Sequence, residues 1–249
     1  TFSQCVRKGT SSGEERMIKL LTFDLDNTLW SVDPIIARAE NAMMEWIYQN
    51  QPELRFKVST IQFEQYKEKI SVEHPDIRHD LTQLRLKTLR QVLDGHVQGD
   101  VNYIVKKAYE VFQQQRNIVQ YFPYVLETLE DLACQYPMYA LSNGNADVQK
   151  IGIGHLFSHH LSAAGVGFAK PHPAMFHQAL EQAKAAPHEA IHIGDHPIQD
   201  IQAARDVGMK TIWVNWLNQP WPLTMQPDAI VTNFEDLPDA IESLKITKE

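Results

Sequence analysis

The sequence predicts an α/β protein, a doubly wound parallel sheet carrying a helical block inserted after its first strand. Three observations predict it. The apolar run Leu20-Leu21-Thr22-Phe23 leads into Asp24-Leu25-Asp26 with the unbroken hydrophobicity of a strand buried on both faces. From 54 to 118 the chain holds strong helix formers and no strand-like alternation. Beyond 123, amphipathic helical patterns alternate with short aliphatic runs, as in a parallel sheet wound with helices.

Residues 1–17 are polar and contain Gly9-Thr10-Ser11-Ser12-Gly13, a lead-in ordered only if it docks. The first strand is expected at 18–25. Side chains alternate along a strand, so Asp24 and Asp26 share a side and Leu25 turns away. Their backbones lie roughly 6–7 Å apart. Two carboxylates at the end of a buried strand are costly unless something binds there. Asp33-Pro34 reads as a helix start, with Asp33 as the cap and Pro34 at the first helical position. Ile35, Ile36, Ala39, Met43, Trp46 and Ile47 recur at helical spacing, and Gln51-Pro52 ends that helix. Further breaks fall at His74-Pro75 and near Asp94-Gly95. Leu81, Leu84, Leu86, Leu89 and Leu93 mark one amphipathic face, and Val101, Ile104, Val105, Ala108, Val111 and Phe112 another. The expected organisation is a lead-in at 1–17, an α/β core from 18–31 and 119–249, and a helical block at 32–118.

In the second part, a helix at 123–135 precedes a strand at 138–141, and a short helix at 146–152 precedes a weaker strand at 160–163. A helix at 173–185 leads to a strand at 190–193. A helix at 197–206, with Pro197 in its first turn and Gly208 just past its end, leads to a strand at 211–214. A strand at 228–231 and a helix at 234–245 close the chain.

At 249 residues, with 43% hydrophobic and 22% charged residues, the composition is that of a globular protein. A net charge of −8 argues against general nucleic-acid binding, which normally requires a basic face. Two cysteines, Cys5 and Cys134, are too few for a disulfide framework and suggest a reducing compartment. No apolar run approaches a membrane span, and 1–17 lack the apolar centre of a signal peptide. The expectation is a soluble cytoplasmic protein, a monomer or homodimer with no nucleic-acid or membrane partner.

Sites in parallel α/β sheets lie at the carboxyl ends of strands. There this chain places Asp24 and Asp26, then Ser142-Asn143-Gly144-Asn145, then Gly194-Asp195 with Asp200 five residues on. Lys170-Pro171 stands in the loop before the helix at 173. Carboxylates in one pocket repel; a pair 4 Å apart costs roughly 4 kcal/mol at an effective dielectric near 20. A hard divalent cation relieves that, and Mg²⁺ suits a few carboxylates with waters and a substrate phosphate. With Asp26 protonated and Asp24, Asp195 and Asp200 ionised, Mg²⁺ and Lys170 bring the pocket to neutrality. A phosphate dianion could then be held by Lys170, the Ser142 hydroxyl and backbone N–H groups. Asp24 would attack phosphorus, and Asp26 would protonate the leaving alkoxide and later activate water. Lys170 and the metal would stabilise the transferred oxygens.

These residues resemble the four motifs of the haloacid dehalogenase superfamily of aspartate-nucleophile phosphatases, which have a Rossmann-like core. Asp24-Leu25-Asp26-Asn27-Thr28 matches the first motif, Ser142-Asn143-Gly144 the second, Lys170 the third, and Gly194-Asp195 with Asp200 the fourth. The resemblance spans about 18 to 245. It implies Asp24, Asp26 and Lys170 as catalytic residues, and Leu25, Ser142, Asn143, Gly144 and Lys170 as the phosphate-binding set. It also implies Mg²⁺ on Asp24, the Asp26 carbonyl and Asp195, with Asp200 acting through water or by orienting its neighbours. The block at 32–118 is similar to the helical-bundle cap of one large subgroup, which closes over the site and selects the leaving group. Within that subgroup, the stretch from Glu73 to Thr82 and the Asn143-Gly144-Asn145 turn resemble phosphatases of flavin mononucleotide and of a phosphorylated riboflavin precursor. Specificity residues are then expected among His74, Asp76, Arg78, His79, Asp80 and Arg85. His196 departs from the pattern, because such relatives carry an acidic residue there. Trp30 either lines the pocket or packs the hinge. Eight of the eleven histidines lie between 155 and 196 without a zinc-binding spacing.

Three other activities use the same scaffold. A hydrolytic dehalogenase shares the fold and nucleophile but needs neither metal nor an acid at the position of Asp26. A phosphomutase needs the same residues as a phosphatase. A non-catalytic binding module would not need the complete set of Asp24, Asp26, Lys170 and Asp195.

Overall fold

β1 (Leu20–Phe23) is buried along its whole length and lies third in a six-stranded parallel sheet. The structure, a computed structural model, describes residues 18–245; the lead-in at 1–17, Cys5 included, falls outside the described residues. After β1 come α1 (Asp33–Asn50), α2 (Thr60–Glu73), α3 (Leu81–Leu93) and α4 (Val101–Arg116). The chain then continues through α5 (Val125–Ala133), β2 (Met138–Ser142), α6 (Val148–Ile151), β3 (His159–Ser162) and α7 (Ala163–Val166). It ends with α8 (Ala174–Ala183), β4 (Ala190–Gly194), α9 (Ala203–Asp206), β5 (Lys210–Val214), β6 (Ala229–Val231) and α10 (Leu237–Lys245). The strand order is β3-β2-β1-β4-β5-β6, and Leu21 stands opposite Met138 on one side and Ile191 on the other. The winding direction reverses at β1, and the crevice at such a reversal is where ligands bind.

The period-2 alternation of β1 divides its side chains between two cores. Leu21 and Phe23 join Val125, Leu129, Ile191, Phe234 and Ile241 on one face. Leu20 joins Tyr139, Leu141, Met175, Phe176 and Ala204 on the other. Helices α1 to α4 have a third core of their own, built from Ala39, Met43, Ile47, Leu89, Ala108 and Phe112. Side chains define the starts of these helices. Ser59 and Gln62 form a capping box on α2, Asp80 accepts from the Thr82 and Gln83 N–H groups, and Asp100 accepts from Asn102.

Two local expectations are corrected. Asp33 does not cap α1: Val32 occupies the cap position, and its N–H donates to the Asn27 side-chain oxygen at 3.0 Å. The segment expected as one α-helix at 197–206 is π-helical over Pro197–Gln202 and becomes α9 only at Ala203. Such wide turns recur at functional sites. The outgoing and returning connections of the helical block meet where Trp30 bridges antiparallel to Tyr121, with their rings edge-on at 5.9 Å. No described helix is long and apolar enough to cross a membrane.

Candidate active site

The Asp24 N–H donates to the Ile193 carbonyl at 2.9 Å, carrying the β1–β4 pairing one residue past the strand. The chain then turns sharply. Leu29 N–H reaches the Leu25 carbonyl, and Asn27 takes the left-handed conformation (φ 64°) that asparagine tolerates better than most residues. This turn sets the Thr28 hydroxyl 3.0 Å from Asp24 Oδ2 and 3.1 Å from Asp195 Oδ1. Leu25 faces the core with no exposed surface, so it can offer the pocket only its backbone.

Lys170 is buried and uses all three ammonium hydrogens: on Asp24 Oδ1 (2.7 Å), Asp200 Oδ1 (2.5 Å) and the Leu141 carbonyl (2.9 Å). Asn143 fixes its backbone. Asn143 Oδ1 accepts from the Lys170 N–H, and Asn143 Nδ2 donates to the Lys170 carbonyl and to Gln199. The Asn143 side-chain amide is thus committed to protein partners, so Asn143 can offer a phosphate only its backbone N–H. Ser142 Oγ accepts from the Gly144 N–H, which leaves its hydroxyl hydrogen available. The Lys170–Pro171 peptide is cis.

Asp200 is also fully engaged. Its Oδ1 faces Lys170 and His192 Nε2 (3.2 Å), and its Oδ2 accepts from the His196 N–H (2.9 Å). Gly194 makes room for it: a Cβ there would stand 2.5 Å from Asp200 Cγ. His192 is buried in β4, with Nδ1 2.8 Å from the Thr22 hydroxyl. Its bonds assign the proton to Nε2, and burial lowers its pKa despite Asp200.

Oxygens of Asp24, Asp195 and Asp200 lie within 4.8 Å of one another, the one such ligand group among the described residues. Burial raises the Asp24 carboxyl well above its ordinary range; Lys170 opposes this, while Asp200 and Asp195 reinforce it. Burial, with the charge of Asp200, pushes Asp195 up to about 7. Asp200 itself is lowered: burial would raise it, but Lys170 and His192 prevail. Lys170 is raised, since Asp200 and Asp24 outweigh the burial that would lower it. One lysine against three carboxylates leaves two negative charges uncompensated. A donor set of hard oxygens with that deficit fits a divalent cation such as Mg²⁺.

Asp26 is held differently from the expectation. Arg116, the last residue of α4, places Nη2 2.8 Å from Asp26 Oδ1 and 2.6 Å from Oδ2, and Trp30 Nε1 donates to Oδ1 at 2.8 Å. Both oxygens of Asp26 accept hydrogen bonds, and the Arg116 guanidinium is the nearest cation to it. Sequence reasoning missed Arg116. It lies 90 positions from Asp26 in a polar helix end, Gln113-Gln114-Gln115-Arg116, with no local signal except its place just before the core resumes. Trp30 is buried in the hinge and reaches the site only through its Nε1.

A cavity of about 290 Å³ opens on Asp24, Asp26, Arg116, Ser142 and Asp195 and extends to Leu81. Leu81, Gly144 and Asn145 also line a second space of about 190 Å³ that reaches His79, Thr82, His160 and Ser162. Of the six residues expected to set specificity, only His79 and Asp80 line either space. Asp80 spends its carboxylate on capping α3. Arg85 lies inside the helical block, bound to Glu40 at 2.7 Å and 3.8 Å above the Phe112 ring. Arg78 donates to the Ser71 carbonyl, Asp76 is exposed and His74 ends α2 beside Lys87. His196 meets the carboxylate cluster through its backbone N–H on Asp200. Its Nδ1 accepts from the Ile198 and Gln199 N–H groups and caps the π-helical turn.

The sequence model of the haloacid dehalogenase-like hydrolases matches residues 18–208. The 5-amino-6-(5-phospho-D-ribitylamino)uracil phosphatase YigB of Escherichia coli is 29% identical over 231 residues, which cover 90% of this chain and 96% of that protein. A phosphoserine phosphatase of Thermus thermophilus is 34% identical over 102 residues, covering 39% of this chain and 41% of that one. Among solved structures, a 2-haloacid dehalogenase from Pseudomonas syringae superposes with a TM-score of 0.87 at 36% identity, over 91% of this chain and 99% of that one.

Proposed function

The chain belongs to the haloacid dehalogenase-like hydrolases, and we propose that it hydrolyses a phosphate monoester of a small metabolite through a phosphoryl group carried on Asp24. The observation that carries this is the convergence of Lys170 and Thr28 on Asp24, with Asp195 and Asp200 alongside and Asp26 two residues away. Asp24 and Asp195, with the Asp26 carbonyl, would hold Mg²⁺, while Asp200 orients Lys170 and His196. Bound there, the cation would neutralise charge on the transferred phosphoryl oxygens.

A carboxylate oxygen of Asp24 forms a bond to phosphorus as the bond to the leaving oxygen breaks. Asp26 delivers a proton to that oxygen, then takes one from the water that cleaves the aspartyl phosphate and frees inorganic phosphate. Lys170 keeps Asp24 aligned and offsets charge on the phosphoryl group. We read α1 to α4, within 32–118, as a cap over this site. The space beyond Leu81, lined by His79, Thr82, His160 and Ser162, would receive a polar leaving group. The Escherichia coli relative supports a phosphorylated riboflavin precursor, or the related flavin mononucleotide, as that substrate.

A second reading, hydrolytic dehalogenation, is favoured by the Pseudomonas syringae structure. The three-carboxylate cluster and Asp26 favour the phosphate ester. Phosphate release from 4-nitrophenyl phosphate, measured with Mg²⁺ and with chelator beside halide release from 2-chloropropionate, separates the two. We expect Mg²⁺-dependent phosphate release and no halide; halide release without phosphate release reverses the assignment. A panel of phosphorylated metabolites containing flavin mononucleotide and 5-amino-6-(5-phospho-D-ribitylamino)uracil then tests the substrate. Background rates on both remove the riboflavin-related reading.

A further inference from the structure

Arg116 comes from the helical block, yet its guanidinium sits in the core's reactive centre, 1% exposed. The contact is not the one a structural ion pair would favour. A guanidinium normally meets a carboxylate with two nitrogens in parallel, the strongest arrangement available. Here Nη2 alone touches both oxygens of Asp26, and Nε reaches Asn145 Oδ1 at 3.3 Å. The geometry places one nitrogen against both oxygens of Asp26.

The two oxygens of Asp26 are left unequal. Oδ1 is held from two directions, by Trp30 Nε1 and by Arg116 Nη2. Oδ2 has only Nη2 and lies against Gly144, where an added Cβ would stand 2.3 Å from Oδ2 and 3.2 Å from Ser142 Oγ. Oδ2 thus faces the loop that carries the Ser142 hydroxyl, on the cavity where a phosphate ester would sit.

We propose that Arg116 is a positioning residue for Asp26: its Nη2 holds both oxygens, and Trp30 Nε1 on Oδ1 leaves Oδ2, with one partner fewer, as the oxygen that exchanges the proton. This rests on the phosphatase reading. In the first half of the cycle the proton passes from Oδ2 to the leaving-group oxygen as the phosphorus–oxygen bond breaks. In the second half Oδ2 takes a proton from water as the phosphorus–Asp24 bond breaks. Because Arg116 ends α4, the acid of the core is oriented by the helical block.

The test is the dependence of kcat/KM on the leaving group, since kcat/KM reports only steps up to its departure. Dinitrophenolate leaves without a proton, whereas phenolate needs one. We expect Arg116→Ala, like Asp26→Asn, to lose about tenfold more kcat/KM on phenyl phosphate than on 2,4-dinitrophenyl phosphate. Arg116→Lys, which can restore one N–H donor, should recover part of that difference. If Arg116→Ala is not folded by circular dichroism, the same comparison is made on Arg116→Gln and Arg116→Lys. Equal losses on the two esters in the Arg116 variants, with Asp26→Asn still discriminating, overturn the assignment to Arg116 alone. If Asp26→Asn does not discriminate, or the unaltered protein hydrolyses neither ester, the phosphatase reading of the site falls and this assignment with it.

Discussion

Asn143 and Lys170 are bonded in both directions, Asn143 Oδ1 accepting from the Lys170 N–H at 2.7 Å and Asn143 Nδ2 donating to its carbonyl at 2.9 Å. One amide therefore locks the loop after β2 to the loop before α8 and sets the line along which Lys170 reaches Asp24. Asn143→Ala should lower kcat/KM by about 10²-fold, the effect of misplacing a reacting group by roughly 1 Å. Steady-state kinetics checks this, and an unchanged KM for phosphate esters would mark the loss as one of alignment.

Asp24→Asn should abolish turnover while the protein stays folded, because the amide keeps acceptor and shape but cannot form the phosphoryl ester. Circular dichroism and a phosphate-release assay together decide this. Full activity in the variant would overturn the nucleophile assignment.

The metal-type cluster predicts an unusual pH dependence. Asp195 is pushed up to about 7 in the folded protein from an ordinary 3.8. Between those values the folded state holds more protons than the unfolded one, so this group's contribution to stability falls as pH rises through the window. Asp195→Asn should therefore stabilise the metal-free protein at about pH 8, by on the order of a few kcal/mol, with the gain shrinking toward about pH 4. Comparing the two proteins at each pH removes the opposing contribution of His192, whose lowered pKa favours the folded state as pH rises. Added Mg²⁺ should raise the Tm of the unaltered protein and leave that of Asp195→Asn nearly unmoved. Thermal melts across pH, with and without Mg²⁺, measure both effects.

Arg85 supplies a contrast. It is buried with Glu40 and stacked on Phe112, away from the cavities. Arg85→Ala leaves Glu40 with only Lys67, 3.6 Å away, and should cost up to about 3 kcal/mol in urea unfolding. The kcat of the fraction that remains folded should not change.

Gly144→Ala should both destabilise and inactivate. The new methyl would meet Asp26 Oδ2 at 2.3 Å and Arg116 Nη2 at 3.1 Å, neither of which can retreat without breaking the other's contact. Overpacking of this kind costs about 1–3 kcal/mol. Thermal melts and kinetics on one preparation would show the two losses together.

The legible part of this protein was the part written in short stretches. The apolar run into Asp24, the turns after β2 and β4, and Lys170 before its proline each carry a local pattern, and the parallel-sheet rule gathers them at one edge. Arg116 was invisible because an arginine ending a polar helix looks solvated until the chain is folded. The surroundings of Arg85 and Asp80 were hidden for a related reason. Charged residues at a helix start suggest ligand contacts, but burial against Glu40 and Phe112, and capping of α3, consumed them within the block. The π-helical turn at Pro197 escaped notice since its hydrophobic spacing is that of an ordinary helix over so short a length.

The meeting of Trp30 and Tyr121 brings both ends of an insertion of some ninety residues to one point beside the sheet. An insertion anchored in that way is, geometrically, an interchangeable part: its removal would leave a gap that a short turn could close. The bond from Arg116 to Asp26 limits that freedom. A chimera that exchanged the helices for those of a relative, cut between Trp30 and Tyr121, would keep its fold but lose the arginine. Cut instead so that Arg116 stays with the core, the same chimera would keep the bond from Arg116 to Asp26. On the proposed role of Arg116, the functional seam would lie on the far side of that residue, a few residues away from the topological one.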